Sequence, residues 1–133
     1  MKLNDILNGL TILETTADLN ADITDVCYDS RQAVEGGLFV AIAGAATDGH
    51  RYIPMVQEKG AACVVCQQVP DCGIPYVLVE DSRRALAVIA CNWFDHPSRE
   101  MTMVGVTGTS GKTTSTYLIK SILEQKAGAK VGL

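Results

Sequence analysis

The chain has 133 residues, of which 47% are hydrophobic and 20% are charged, and its formal net charge is −4. This composition is typical of a soluble α/β protein with one good core. The chain is acidic and has no cluster of Lys and Arg. This argues against a nucleic-acid-binding surface, because binding to phosphate backbones depends on such clusters. No apolar run is long enough to cross a membrane and the N-terminus lacks an apolar signal segment, so the sequence predicts a cytoplasmic protein.

The predicted elements alternate between helix and strand, which is typical of an α/β layer. Apolar residues recur at helical spacing in the first ten positions and predict a short amphipathic helix. Short apolar runs predict strands at 24–28, 38–42, 61–66 and 76–79. A helix is expected at 52–59, and a second one begins with Ser82 as its N-cap and turns residues up to Phe94 inward.

The charged, proline-containing segment 96–100 ends this alternation and predicts a domain boundary. After it we expect a strand at 101–106, a glycine turn, a helix at 114–126 and a last apolar run at 130–133. The inward residues of that helix would be Tyr117, Leu118, Ser121 and Ile122.

The predicted fold class is therefore α/β in two parts. Residues 1–97 would form a small mixed α/β sheet domain, and residues 98–133 the first βα(β) unit of a P-loop ATPase domain. Because a parallel sheet needs several strands with both faces covered, we expect the sequence to be a truncated piece of a longer enzyme. Nothing in the sequence predicts an oligomeric state.

The glycine-rich segment from Gly105 to Thr114 predicts a phosphate-binding loop. A strand, a glycine turn and a helix in this order point backbone N–H groups and a helix N-terminus at one place, where an anion can bind. Lys112 can then reach the β- and γ-phosphates, and the Thr113 hydroxyl can bind the accompanying Mg²⁺. The first glycine of the common Walker spacing is replaced by Val106, but the Gly-Lys-Thr core is intact.

The five cysteines are odd in number and lie mostly in apolar runs, which is typical of buried thiols in a reducing compartment. Cys63 and Cys66 have the spacing of a zinc knuckle, with Cys72 as a conceivable third ligand. Residues three apart in a strand point to opposite faces, however, and no second pair follows. The pattern therefore favours structural cysteines.

Three stretches together resemble one family. They are Asp29–Arg31 with the run 37–41, then Thr47–His50, then the segment 96–98 followed by the phosphate loop. In this order and spacing they are similar to the Mur ligases of peptidoglycan synthesis, and most similar to the MurE-type branch that adds the third amino acid. One position departs from that branch: Ser110 stands where Asn is usual, and serine is common there in the MurF-type branch.

The resemblance implies that the first domain holds the uridine end of a UDP-N-acetylmuramoyl dipeptide. The implied substrate-binding residues are Tyr28, Ser30, Ala45, Ala46 and Thr47. A hydroxyl and loop amides can hydrogen-bond uracil and ribose, and a tyrosine offers an aromatic face. Asp29 and Arg31 could contact ligand or form an internal ion pair, whereas His50 and His96 are interpreted as capping or packing residues.

The resemblance also implies ATP and Mg²⁺ as cofactors and an amino acid as the third substrate. The implied ATP-binding residues are Gly108, Thr109, Ser110, Gly111, Lys112, Thr113 and Thr114. Lys112 would be the catalytic residue and Thr113 the metal-binding residue of an amide-forming reaction that passes through an acyl phosphate. The added amino acid, meso-diaminopimelate or lysine, would be selected by residues beyond Leu133.

Two other readings stay open at this point: a MurF-type ligase, and a non-catalytic module whose phosphate loop serves for sensing or docking. A ligase of the folylpolyglutamate type shares the phosphate loop, but the first hundred residues argue against it.

Overall fold

A computed structural model describes residues 1–44 and 47–133. The chain divides into two compact units, Met1–Pro97 and Ser98–Leu133. Ala45 and Ala46, two of the predicted substrate-binding residues, lie outside the described residues.

The first unit contains a five-stranded sheet with helices on both faces. The strands are β1 (Ile12–Thr15), β2 (Val26–Cys27), β3 (Leu38–Val40), β4 (Cys63–Cys66) and β5 (Tyr76–Val79), and the helices are α1 (Leu3–Ile6), α2 (Ile53–Glu58) and α3 (Ser82–Trp93). The spatial order is β1-β5-β4-β3-β2, with β1 antiparallel to β5 and the other pairs parallel. The predicted mixed α/β sheet is confirmed.

Strand alternation builds two separate cores. Cys63 and Val65 pack into the core on one face of the sheet with Leu3, Ile6 and Ile89 of α1 and α3. Val64 and Cys66 pack into the core on the other face with Ile53 and Val56 of α2. Because side chains alternate along a strand, apolar strand residues that follow one another supply both faces.

This alternation separates the two cysteines with zinc-knuckle spacing. Cys63 and Cys66 lie in different cores, and burial raises the pKa of their thiols to about 12 and about 11, respectively. Among the described residues no group of three or more His, Cys, Asp or Glu could hold a metal ion. Cys63 and Cys66 are both buried, as the apolar run that contains them predicts.

Two details of α3 differ from the prediction. The N-cap is Asp81, whose carboxylate accepts hydrogen bonds from the backbone N–H groups of Arg83 and Arg84. The helix therefore starts one residue earlier than expected, with Ser82 as its first residue. The Ser82 side chain is fully buried. Phe94 is 68% exposed and is the C-terminal cap of α3, one residue beyond the last helical residue, Trp93.

The second unit contains one long helix, α4 (Lys112–Ala127), preceded by residues 101–111 without regular structure. The predicted strand at 101–106 is wrong for this chain, and the run at 130–133 is not a strand either. The predicted inward face of the helix is also wrong: Tyr117, Leu118 and Ile122 are 57 to 62% exposed, and Ser121 is exposed as well. A strand exists only through hydrogen bonds to a neighbouring strand, and residues 98–133 contain no such neighbour. No described helix is long and apolar enough to span a membrane.

Candidate functional site

The carboxyl ends of neighbouring parallel strands bring the described substrate-binding candidates to one edge of the sheet. Strands β2 and β3 pair in register, Val26 with Leu38 and Cys27 with Phe39. Tyr28 directly follows β2, and Thr47 lies in the loop that follows β3. In open α/β sheets, ligands bind outside the carboxyl ends of the strands. The topology therefore places these candidates where a ligand is expected.

The turn after β2 is closed by its own side chains. Residues Ser30–Gln32 form a short 3₁₀ turn, and the Asp29 carboxylate accepts a hydrogen bond from the Arg31 backbone N–H at 3.0 Å. The Arg31 guanidinium also contacts both carboxylate oxygens of Asp29, with Nη2 2.6 Å from Oδ2. These hydrogen bonds from Arg31, with a smaller effect from the charge of Lys59, lower the pKa of Asp29 to about 2. The internal ion pair is thus present.

The two candidate side chains on this turn are exposed to different degrees. Tyr28 is 66% exposed, so its ring is open to solvent, whereas Ser30 is 8% exposed. An open aromatic ring beside a sheltered hydroxyl can stack on a heterocyclic base and hydrogen-bond its edge.

After β3, backbone contacts join residues 43 and 44 to residues 47 and 48. The Gly44 N–H donates to the Thr47 carbonyl at 3.0 Å, and Ala43 forms an isolated bridge with Asp48. Asp48 then caps the next 3₁₀ turn by accepting from the His50 N–H at 3.0 Å. Thr47 is exposed at the base of this closed loop.

The ring of His50 and the backbone N–H of His96 both make structural hydrogen bonds. The His50 ring links Asp48 to the β4–β5 loop through hydrogen bonds at both nitrogens. The His96 backbone N–H donates to the Cys91 carbonyl at 2.8 Å, and the Asp95 N–H donates to the Asn92 carbonyl at 3.3 Å. This pair of bonds closes the C-terminal end of α3 in the manner of a Schellman motif.

A cavity of about 710 Å³ opens beside the same edge of the sheet. Its lining includes Ala43 after β3, Gln67 after β4, Glu80 after β5, and Arg83 and Arg84 in the first turn of α3. Neither this cavity nor a second one of about 340 Å³ is lined by the described candidates Tyr28, Ser30 and Thr47. The sequence predicts neither cavity, because a cavity between loops has no local sequence signal.

The second unit carries the predicted phosphate loop at the start of α4. Gly111 precedes the helix with φ 74°, a left-handed conformation that glycine adopts without strain, and the helix starts at Lys112. The Lys112 ammonium donates to the Gly108 carbonyl, so the loop folds back over its own lysine. All seven candidates from Gly108 to Thr114 are exposed. Helix N–H groups, a lysine and the hydroxyls of three threonines together can bind a polyphosphate.

Comparison with known proteins shows the family of this chain. The family model described as "Mur ligase family, catalytic domain" matches residues 22–94, more than half of the chain. The chain belongs to the Mur ligase family. The match lies within the first unit and ends before the phosphate loop.

Similar curated relatives extend over the whole chain. It is 46% identical to UDP-N-acetylmuramoyl-L-alanyl-D-glutamate--2,6-diaminopimelate ligase 1 of Clostridium acetobutylicum. It is 45% identical to the corresponding ligase of Clostridioides difficile. Each alignment covers 100% of this chain and 28% of the relative, so the chain spans little more than a quarter of these Mur ligases.

Solved structures of Mur ligases share the fold. The MurF of Acinetobacter baumannii matches with a TM-score of 0.61 and 29% identity, over 78% of this chain and 23% of that one. The MurF ligase of Thermotoga maritima, solved in complex with ADP, matches with a TM-score of 0.58 and 30% identity, over 77% and 23%.

Proposed function

We propose that this chain serves in an ATP-dependent ligase that joins 2,6-diaminopimelate to UDP-N-acetylmuramoyl-L-alanyl-D-glutamate in peptidoglycan synthesis. The observation that carries the proposal is the 45 to 46% identity, over the entire chain, to relatives named for this reaction. Those alignments span both the turn at Asp29–Arg31 and the phosphate loop. ATP and a nucleotide-linked sugar are cytoplasmic compounds, so the cytoplasm is the proposed location.

In this proposal the first unit, residues 1–97, binds the uridine nucleotide. Tyr28 and Ser30 flank the base and ribose, and the loop residues Ala45, Ala46 and Thr47 supply further hydrogen bonds. The exposed Tyr28 ring, the sheltered Ser30 and the closed loop that ends at Thr47 support this assignment, since all follow carboxyl ends of parallel strands.

The second unit, residues 98–133, binds ATP through Gly108–Thr114. The exposed N-terminus of α4 offers backbone N–H groups to the phosphates, and the Lys112 ammonium exchanges its carbonyl partner for phosphate oxygens. Thr113 presents an exposed hydroxyl, an oxygen donor of the kind that Mg²⁺ prefers, and phosphate oxygens would complete its coordination. When bound, Mg²⁺ offsets negative charge on the phosphates.

The reaction requires a substrate carboxylate to approach the γ-phosphate of ATP. Attack forms an acyl phosphate and ADP, and the incoming amine then displaces inorganic phosphate to form the amide. Charge builds on the transferring phosphoryl group, and Lys112 together with the loop amides stabilises it. Loss of one such group lowers the rate on the order of 100-fold or more, which makes Lys112 the catalytic residue of the proposal.

A MurF-type ligase is the second candidate, and two observations favour it. The solved structures cited above are MurF proteins, and Ser110 is a residue common in that branch. Their identity of 29 to 30% is well below that of the diaminopimelate ligases, which ranks this candidate second.

The test is an NMR titration of the chain with UMP, UDP-N-acetylmuramoyl dipeptide and ATP, one at a time. We expect UMP and the dipeptide to shift the amides of Tyr28, Ser30 and 45–47. We expect ATP to act weakly on 108–114, because residues 98–133 provide no strand to support this segment. Shifts confined to 108–114, or none with UMP, would overturn the uridine assignment and favour the non-catalytic module. Tight ATP binding by calorimetry would contradict the expected weak binding.

A further inference from the structure

One ammonium group holds two carbonyl groups of the turn at Ser30–Gln32. Lys59 Nζ donates to the carbonyl oxygens of Ser30 and Arg31, both at 2.9 Å. The Ser30 carbonyl also accepts from the Ala33 N–H at 3.4 Å, and a cation beside the last carbonyls of a helical turn is favourable. Lys59 therefore closes the end of the turn opposite to Asp29, which caps the start.

Lys59 reaches the turn from a fixed base. It is the C-terminal cap of α2, and its backbone N–H donates to the Met55 carbonyl at 3.2 Å. The next residue, Gly60, donates to Gln57 at 2.9 Å and accepts from the Gly36 N–H at 2.8 Å. The α2 residues Ile53 and Val56 are buried in the core. The ammonium thus stands on a helix that is anchored to the sheet.

The same helix connects the two segments at this edge of the sheet. The loop that ends at Thr47 leads through the 3₁₀ turn Gly49–Tyr52 directly into α2, and the end of α2 carries Lys59 onto the turn beside Tyr28 and Ser30. A cation that fixes the backbone of a binding turn reduces the ordering cost paid when ligand binds.

We propose that Lys59 is a positioning residue for uridine-nucleotide binding, an inference that rests on the uridine site proposed above. It acts through the Ser30 and Arg31 carbonyls and holds Tyr28 and Ser30 in the geometry that receives the base. Two of the three ammonium N–H bonds are used by these carbonyls, and it is through them that Lys59 acts on the turn.

The experiment measures the dissociation constant of UMP by NMR on the full chain. Lys59→Met removes the ammonium and keeps the apolar stem, and we expect the constant to rise about tenfold through loss of two charge-assisted hydrogen bonds. Lys59→Arg keeps a cation with several donors, and we expect it to stay within about threefold of the wild type. Lys2→Met is the matched control for loss of one charge, since Lys2 pairs with Asp22 at the surface.

A second measurement uses no ligand. The Ala33 N–H donates to the Ser30 carbonyl at 3.4 Å, so its hydrogen exchange reports order in the turn. We expect faster exchange of this amide in Lys59→Met and no change in Lys2→Met. Lys59→Gln, which retains a neutral donor, replaces the methionine variant if that variant does not fold, with an expected rise of about threefold in the UMP constant.

The outcomes separate the two proposals. A wild-type chain that does not bind UMP overturns the uridine site, and this inference with it. A wild-type chain that binds UMP, with Lys59→Met equal to it in affinity and in Ala33 exchange, overturns the positioning role alone. An equal loss of affinity in Lys2→Met and Lys59→Met would show a general charge effect and would likewise overturn it.

Discussion

The Nε2 atom of His50 accepts a hydrogen bond from the backbone N–H of Gln67 at 2.9 Å. A backbone N–H can only donate, so Nε2 must carry the lone pair, and the proton of the neutral ring lies on Nδ1. That nitrogen is 2.6 Å from Oδ1 of Asp48. The imidazole therefore ties the loop after β3 to the loop after β4 and uses both nitrogens to do so.

Two substitutions separate the hydrogen bonds of His50. His50→Asn keeps a donor near the Nδ1 position and loses the acceptor for Gln67, whereas His50→Gln keeps the acceptor and loses the donor for Asp48. We expect each to lower the free energy of unfolding by about 1 kcal/mol, and His50→Ala by more. Urea unfolding followed by the fluorescence of Trp93, the single tryptophan, reports on this unit. An alanine variant as stable as wild type would show that the bridge contributes nothing.

Gly49 approaches the backbone of Ile42 too closely for any side chain. A Cβ at this position would lie 2.7 Å from the Ile42 nitrogen and 2.9 Å from its carbonyl oxygen. We expect Gly49→Ala to cost about 1 to 3 kcal/mol in the free energy of unfolding, because backbone atoms must move to admit the methyl group. Urea unfolding measures this loss. Gly132→Ala is the control, since a Cβ there meets no atom within 4 Å, and an equal loss in both variants would contradict the steric explanation.

The ion pair between Asp29 and Arg31 makes the turn sensitive to acid. Hydrogen bonds from Arg31 lower the pKa of Asp29 from an ordinary 3.8 to about 2. The unfolded chain therefore binds this proton at higher pH than the folded chain does. The contribution of the pair to stability is fully present above pH 3.8 and is lost as pH falls through about 2.

The Arg31 amide, which donates to the Asp29 carboxylate, reports this titration directly. We expect its NMR shift to move with a midpoint near 2 and to lose that transition in Asp29→Asn. A wild-type midpoint near 3.8 would mean that the carboxylate gains nothing from its partner in solution.

The rate at which each cysteine is alkylated should fall as its burial increases. Cys91 is exposed and Cys72 is half-buried, whereas Cys27, Cys63 and Cys66 are buried. Burial raises the pKa of Cys63 from 9.0 to about 12, which lowers its thiolate fraction at pH 8 about 1,000-fold below that of an ordinary thiol. We expect iodoacetamide to modify Cys91 first and Cys72 second. Mass spectrometry of digested samples resolves the sites, and the chain unfolded in urea, where all five should react at similar rates, is the control.

Local sequence patterns determined most of the sheet. The runs at Leu38–Val40, Cys63–Cys66 and Tyr76–Val79 are short, apolar and rich in β-branched residues, so burial and strand preference agree in them. The opposed positions of Cys63 and Cys66 likewise follow from the two-residue period of a strand. The glycines and lysine of 105–114 predict a phosphate loop without reference to any other part of the chain.

Contacts between distant residues decided the rest. The sequence pattern does not predict strand β1, because Ile12–Thr15 is mostly exposed and has no apolar run. It is a strand only through antiparallel pairing with β5. The predicted strand at 101–106 is absent for the converse reason, since residues 98–133 provide no neighbouring strand. Lys59 illustrates the same limit at the candidate site. Its sequence position marks a helix end, and its hydrogen bonds to Ser30 and Arg31, nearly thirty residues away, exist only because the fold brings α2 beside that turn.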